Sequence, residues 1–160
     1  MRLTHLLPLL LPALPTGAET ITLTPAADTA MLSLNPANNY GGLTTVPVGT
    51  IAKPNQFARA LIRFDVAAAL PPGAVVTNVT LTVRMTKESI SGPADTVALH
   101  RLLVDWGEGT KSSGNHGAAA TAGEANWTVR KLGAADWAAP GAQSGTDFAA
   151  AASGSLNWNE

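Results

Sequence analysis

Ala58-Arg59-Ala60-Leu61-Ile62-Arg63-Phe64-Asp65-Val66 and Asn78-Val79-Thr80-Leu81-Thr82-Val83-Arg84-Met85-Thr86 are the two stretches that decide the fold. In the first, Ala60, Ile62, Phe64 and Val66 share one face at a period of two, and Arg59, Leu61, Arg63 and Asp65 share the other. In the second, Val79, Leu81, Val83 and Met85 alternate with Asn78, Thr80, Thr82, Arg84 and Thr86. Successive side chains of a strand point to opposite sides, so this alternation predicts two half-buried strands. Between them, Leu70-Pro71-Pro72-Gly73-Ala74 is a tight connection that no helix crosses, because proline lacks the amide donor a helix interior needs.

Weaker signals of the same kind lie on either side. Thr20 to Thr24 sets Ile21 and Leu23 against threonines, and Pro25 ends it. Ala30 to Leu34, Thr44 to Val48 and Thr96 to Val104 are further strand candidates. Asn35 to Gly42 is rich in Asn, Pro and Gly, each of which favours turns for its own backbone reason. No stretch has a 3.6-residue period. Short strands separated by Gly and Pro turns predict an all-β fold, an antiparallel β-sandwich of jelly-roll type. Beyond Asp105 the character changes. Trp106 to Gly145 is mostly Gly, Ala, Ser and Asn punctuated by tryptophans, and reads as a long loop with aromatic anchors.

Residues 1–18 read as an export signal. Arg2 and His5 give a polar start, Leu6 to Leu14 is leucine-rich, and Thr16-Gly17-Ala18 offers small residues ahead of Glu19. The apolar run is about half the roughly 20 residues that cross a bilayer, and Pro8, Pro12 and Pro15 argue against a core helix. The expectation is a secreted or cell-surface protein with one β-sandwich domain over 19–160 and no membrane span after the signal. That domain is long enough to bury a core.

Charge and composition exclude several classes of function. The chain has 10 Lys plus Arg against 11 Asp plus Glu, with no basic block, so no nucleic-acid partner is expected. It contains no cysteine, which removes thiol catalysis and the usual structural zinc sites. Only 13 % of residues are charged, unlike a disordered chain.

A series of short motifs follows one order along the chain. It comprises Ala27-Asp28-Thr29, Asn39-Tyr40-Gly41, Arg59 to Asp65, Leu70 to Ala74, Asp105-Trp106-Gly107-Glu108-Gly109, Ala125-Asn126-Trp127, and Trp137 with Pro140-Gly141. Together they resemble the DNRLRE-domain family, a secreted β-sandwich group classed with the carbohydrate-binding modules of family 96. The resemblance covers most of Ala27 to Phe148. It implies a jelly-roll-like sandwich in a secreted or surface protein, often beside catalytic or anchoring modules; its bearing on function is looser than on fold. The family usually continues for two or three strands past the point where Ser155 to Glu160 stops. The sandwich is therefore expected to lack its last C-terminal strands, with neighbouring modules missing from this chain.

Each candidate site residue has two readings. Trp106, Trp127 and Trp137 lie in polar loops, where a ring can stack on the C–H face of a sugar or pin its loop onto the sandwich. Tyr40, the only tyrosine, carries the same alternatives. Arg59 and Arg63 share a strand face with Asp65, and Arg84 is a possible neighbour. Arginine forks suit the carboxylates of an acidic polysaccharide such as alginate, while cross-strand ion pairing is the structural alternative. No cofactor is firmly expected. Asp28, Asn38, Asn39 and Asp147 offer oxygen ligands near turns, so a structural calcium is a candidate.

For catalysis the signals are thin. His100 and His116 are the histidines after the signal, and no Gly-x-Ser-x-Gly motif is present. Glu108 and Glu124 have two readings, a glycosidase pair or, as favoured for glutamates in Gly-rich loops, solvated carboxylates. The expected function is a non-catalytic module that binds polysaccharide at or outside the cell surface. A purely structural or adhesive domain is the alternative, and a polysaccharide-degrading enzyme acting through His116 or Tyr40 comes third.

Overall fold

The computed structural model describes residues 18–51, 55–87 and 96–157. All but Ala18 of the export signal expected at 1–18 lies outside them, as do residues 158–160. Among the described residues the chain is nearly all β, and every strand pair is antiparallel. The expected all-β class holds, and the paired sheets are compatible with a β-sandwich.

The central sheet has the order β1-β4-β3, from strands Ala27–Leu32 (β1), Gly49–Thr50 (β3) and Phe57–Arg63 (β4). Thr29 pairs with Leu61, and Met31 with Arg59. Residues directly opposite share a face, so Ala27, Thr29, Met31, Arg59, Leu61 and Arg63 lie on one side of this sheet. That side is the packed one. Ala27, Met31 and Leu61 bury against Trp106, Ala125, Trp137 and Ala142, with Leu102, Val104, Trp127 and Phe148 at the margin. The face that carries two arginines is thus the face that carries the core. The cross-strand ion pair weighed for Arg59, Arg63 and Asp65 does not form among the described residues. Asp65 instead accepts from the Ala68 N–H at 3.2 Å and caps a one-turn helix, Val66–Ala69 (α1).

Three two-stranded ladders complete the set. Asn38–Asn39 (β2) pairs with Ala118–Ala119 (β6), Thr96–Leu99 (β5) with Gly154–Asn157 (β9), and Val129–Lys131 (β7) with Ala135–Asp136 (β8). The β5 pairing runs on past its regular part. Leu102 bridges Phe148, and the N–H of Leu103 donates to the Asp147 carbonyl at 2.8 Å. Partners in β5 and β9 sum to 253, whereas Leu102 and Phe148 sum to 250, so the register slips between the two stretches. The predicted strand Thr96 to Val104 is therefore nearly all paired, though irregularly.

Several expectations need correction. The strand placed at Ala30 to Leu34 lies at Ala27–Leu32, and the one at Thr44 to Val48 is replaced by two residues, Gly49–Thr50. Thr20 to Thr24 and Asn78 to Thr86 join no ladder among the described residues. Alternation shows that a segment can form a half-buried strand; a ladder also needs a free neighbouring edge. The stretch from Trp106 to Gly145 is not a bare loop, since it holds β6, β7 and β8 and half of the core.

Core truncation separates the two kinds of segment. Met31→Ala, at a fully buried site, is expected to cost about 2–5 kcal/mol. Val79→Ala, at a position 81 % exposed, is expected to stay within about 0.5 kcal/mol. Chemical denaturation of the two variants checks both values.

Candidate functional site

Asn39 organises the loops that lie over the central sheet. Its side chain is fully buried. Nδ2 donates to the carbonyls of Glu108 at 2.6 Å and Ala125 at 2.9 Å, while Oδ1 accepts from the N–H groups of Gly41 at 3.0 Å and Lys111 at 3.3 Å. A primary amide has two donors and two acceptor lone pairs, so this side chain is saturated and has no oxygen left for calcium. Gly109, at φ +80°, is what lets the loop come so close: a Cβ there would collide with the Asn39 amide.

The other proposed calcium ligands have contacts of their own. Asp147 is buried, and its Oδ2 accepts from the N–H groups of Ala138 at 2.9 Å and Gln143 at 2.7 Å, closing the 138–147 loop. Asn38 donates to the His116 carbonyl. Asp28 is half-buried beside Glu108, whose Oε1 accepts the Asp28 N–H at 2.8 Å. Among the described residues no three His, Cys, Asp or Glu side chains converge on a metal position.

The tryptophans divide. Trp106 and Trp137 are core residues, 6 % and 4 % exposed, and the Trp137 indole N–H donates to the Asn126 carbonyl at 2.9 Å. A ring so enclosed pins its loop and presents no face to a sugar. Tyr40 is likewise fully buried, its hydroxyl accepting from Asn35 Nδ2 at 3.3 Å. Trp127 differs in being half-buried at the margin of the core. Gly141, at φ +86°, packs against it; a Cβ there would lie 2.5 Å from Trp127 Cζ2.

Arg59 and Arg63 both lie against aromatic rings. The Arg63 guanidinium carbon is 5.8 Å from the Trp106 ring centre. Arg59 sits between two rings, 5.7 Å from Trp127 and 5.6 Å from Phe148. Both distances suit attraction between a cation and the negative face of the ring. Its Nη1 donates to the carbonyls of Gly141 and Ala142, tying β4 to that loop. Burial lowers the Arg59 pKa, yet a guanidinium stays protonated at any physiological pH. Among the described residues Nε and Nη2 have no acceptor.

Arg59 also lines an open cleft of about 290 Å³ with Gly49, Thr50, Phe57, Ala58, Thr96 and Val97. The cleft therefore combines a fixed cation, two threonines and an exposed Phe57 ring with the half-buried Trp127 and Phe148 behind the cation. His100 extends this group; its ring meets Phe148 edge-on at 5.1 Å, and its Nδ1 lies 2.9 Å from the Ala149 carbonyl. Phe57 and Phe148 were not singled out from the sequence, and His100 was weighed there only as a histidine for catalysis. Phe57 alone carried a signal there, as an aromatic two residues before Arg59 on the same strand period.

The model of carbohydrate-binding module family 96 matches residues 19–138, three quarters of the chain. No curated protein and no solved structure matches.

Two carboxyls, Glu124 and Asp28, are shifted in opposite directions. For Glu124, burial alone would raise the pKa, but hydrogen bonds from Thr121, the Lys111 ammonium and the Thr110 N–H outweigh it and hold the group low. For Asp28, burial and the Glu108 charge both raise the pKa above its ordinary 3.8. Ionised Asp28 thus costs stability above its folded-state pKa, and the cost vanishes below 3.8. Asp28→Asn is expected to raise the melting temperature at pH 7, the gain shrinking as the pH falls towards 3.8. Thermal melts across that range check the sign.

Proposed function

Because the chain belongs to carbohydrate-binding module family 96, we propose that it is a non-catalytic, exported module that holds polysaccharide in the Arg59 cleft. The observation that carries this reading is the placing of Arg59. It is held between Trp127 and Phe148, braced on two backbone carbonyls, and still has N–H groups to offer at a cleft. Preorganisation of this kind lowers the entropy cost of gripping a ligand. A planar fork matches a carboxylate, so an acidic polysaccharide is the favoured partner, with Phe57 and Trp127 offering apolar surface to sugar rings. Trp106, Trp137 and Tyr40 support the site from the core without touching ligand, and Arg63 holds the Trp106 loop.

The purely structural reading draws on the same residue, since Arg59 cross-links β4 to the 141–142 loop. Affinity electrophoresis separates the two. Alginate in the gel is expected to retard the protein, and a neutral glucan to retard it less. A hydrogen bond to a charged group is worth about 1.5–3 kcal/mol, so Arg59→Lys, which keeps the charge but loses the fork, is expected to weaken alginate binding roughly 10- to 100-fold. Trp127→Phe is expected to weaken it less. No retardation by either polysaccharide, together with a lower melting temperature in Arg59→Lys, would leave only the structural role.

A further inference from the structure

One buried carboxylate oxygen holds residues 138–148 together. Asp147 is 3 % exposed, and its Oδ2 receives the N–H groups of Ala138 at 2.9 Å and Gln143 at 2.7 Å. Residues 139–142 are thus tied at both ends to the same atom. The Gln143 carbonyl in turn accepts from the N–H groups of Asp147 at 2.8 Å and Phe148 at 3.3 Å, and the N–H of Ala142 donates to the Ala139 carbonyl at 3.0 Å. Inside this frame two successive residues are left-handed, Gly141 at φ +86° and Ala142 at φ +73°. Glycine adopts that conformation freely, but in alanine the Cβ crowds the following carbonyl oxygen. A strained residue of this kind persists only where its surroundings fix it. The carbonyls of these two residues are the ones that accept from Arg59 Nη1.

We propose that Asp147 is a positioning residue for Arg59. It holds Gly141 and Ala142 in the turn that aims both carbonyls at one guanidinium nitrogen, and it places the two rings beside that guanidinium. Phe148 follows it directly in the chain and bonds to the same Gln143 carbonyl. Trp127 is reached through Gly141, whose N–H donates to the Trp127 carbonyl at 2.6 Å and whose missing Cβ leaves room for the indole. The N–H of Leu103, donating to the Asp147 carbonyl at 2.8 Å, anchors the whole unit beyond β5. Strand pairing fixes only the backbone of Arg59; the several torsions between that backbone and the guanidinium are fixed by this loop. The consequence for binding rests on the reading of Arg59 as the group that grips polysaccharide. An arginine already in place loses little side-chain freedom when ligand arrives, whereas a loose one loses most of it.

The NMR signal of the Arg59 Nε–H in isotopically labelled protein reads the side chain's position with no ligand present. Aromatic rings shift nearby protons, so this signal, identified by its loss in Arg59→Lys, is expected away from the position common to solvated arginines. Asp147→Ala is expected to return it to that position. Asp147→Asn, which keeps one oxygen to receive both N–H groups, is expected to leave it in place. On alginate gels Asp147→Ala is expected to bind about 2- to 10-fold more weakly, the affinity lost when one long side chain must be ordered on binding. Asp147→Asn is expected to restore that affinity. Within Arg59→Lys, adding Asp147→Ala is expected to change binding by less than about twofold, because its effect runs through Arg59. A wild-type signal already among the solvated arginines overturns the proposal, as does one unmoved in folded Asp147→Ala. So does a full further loss on top of Arg59→Lys, the mark of a general loosening of the fold. If Asp147→Ala does not fold, Asp147→Ser, whose hydroxyl falls short of both donors, enters the same comparisons. A shifted signal that Asp147→Ala abolishes, in a protein that alginate never retards, leaves the positioning role standing and removes the polysaccharide reading.

Discussion

The fold depends on one buried amide. Asn39 spends all four of its hydrogen-bonding positions on the backbone of three separate segments, at 41, at 108 and 111, and at 125. Removing that side chain would leave two carbonyls and two N–H groups to find partners in a place without water. Leaving a buried polar group unpaired costs about 1–3 kcal/mol, so the loops over the central sheet are held more by this satisfied network than by apolar area. Among the described residues the apolar core itself is modest, with three alanines among its seven buried members.

The arginines make sense in the same terms. A long cationic side chain on the packed face of a sheet would normally be a burial cost. Here each stem can lie along apolar surface while its head rests on an aromatic ring, Arg63 on Trp106 and Arg59 between Trp127 and Phe148. The ion pairs that Arg130 and Lys131 make with Asp105 are of another kind. They sit at the exposed surface, where such pairs are worth about 0–1 kcal/mol.

What could be read from the residues alone was local. The period of two around Arg59 to Arg63 located β4, because pleating fixes side-chain direction whatever the strand's neighbours. The same logic marked Asn78 to Thr86 equally well and could not say whether an edge was available. The loop tryptophans were legible as either anchors or stacking platforms; only packing separates buried Trp106 and Trp137 from half-buried Trp127. Asn39 read as a turn residue with a spare oxygen, since its saturation depends on carbonyls 69 and 86 positions away. The cleft joins Thr50, Arg59 and Thr96, and no spacing rule links residues so far apart.

Those long separations bear on how the chain comes to fold. Asp28 meets Glu108 across 80 positions, Arg59 meets Ala142 across 83, and Asn39 meets Ala125 across 86. The first sixty residues therefore have nothing to cover Ala27, Met31 and Leu61 until the Trp106 and Trp137 loops have been made. Topologies with such distant contacts fold slowly, in the millisecond-to-second range. Until residues 106–142 have been made, that face of β1 and β4 stays uncovered, an apolar surface open to wrong partners.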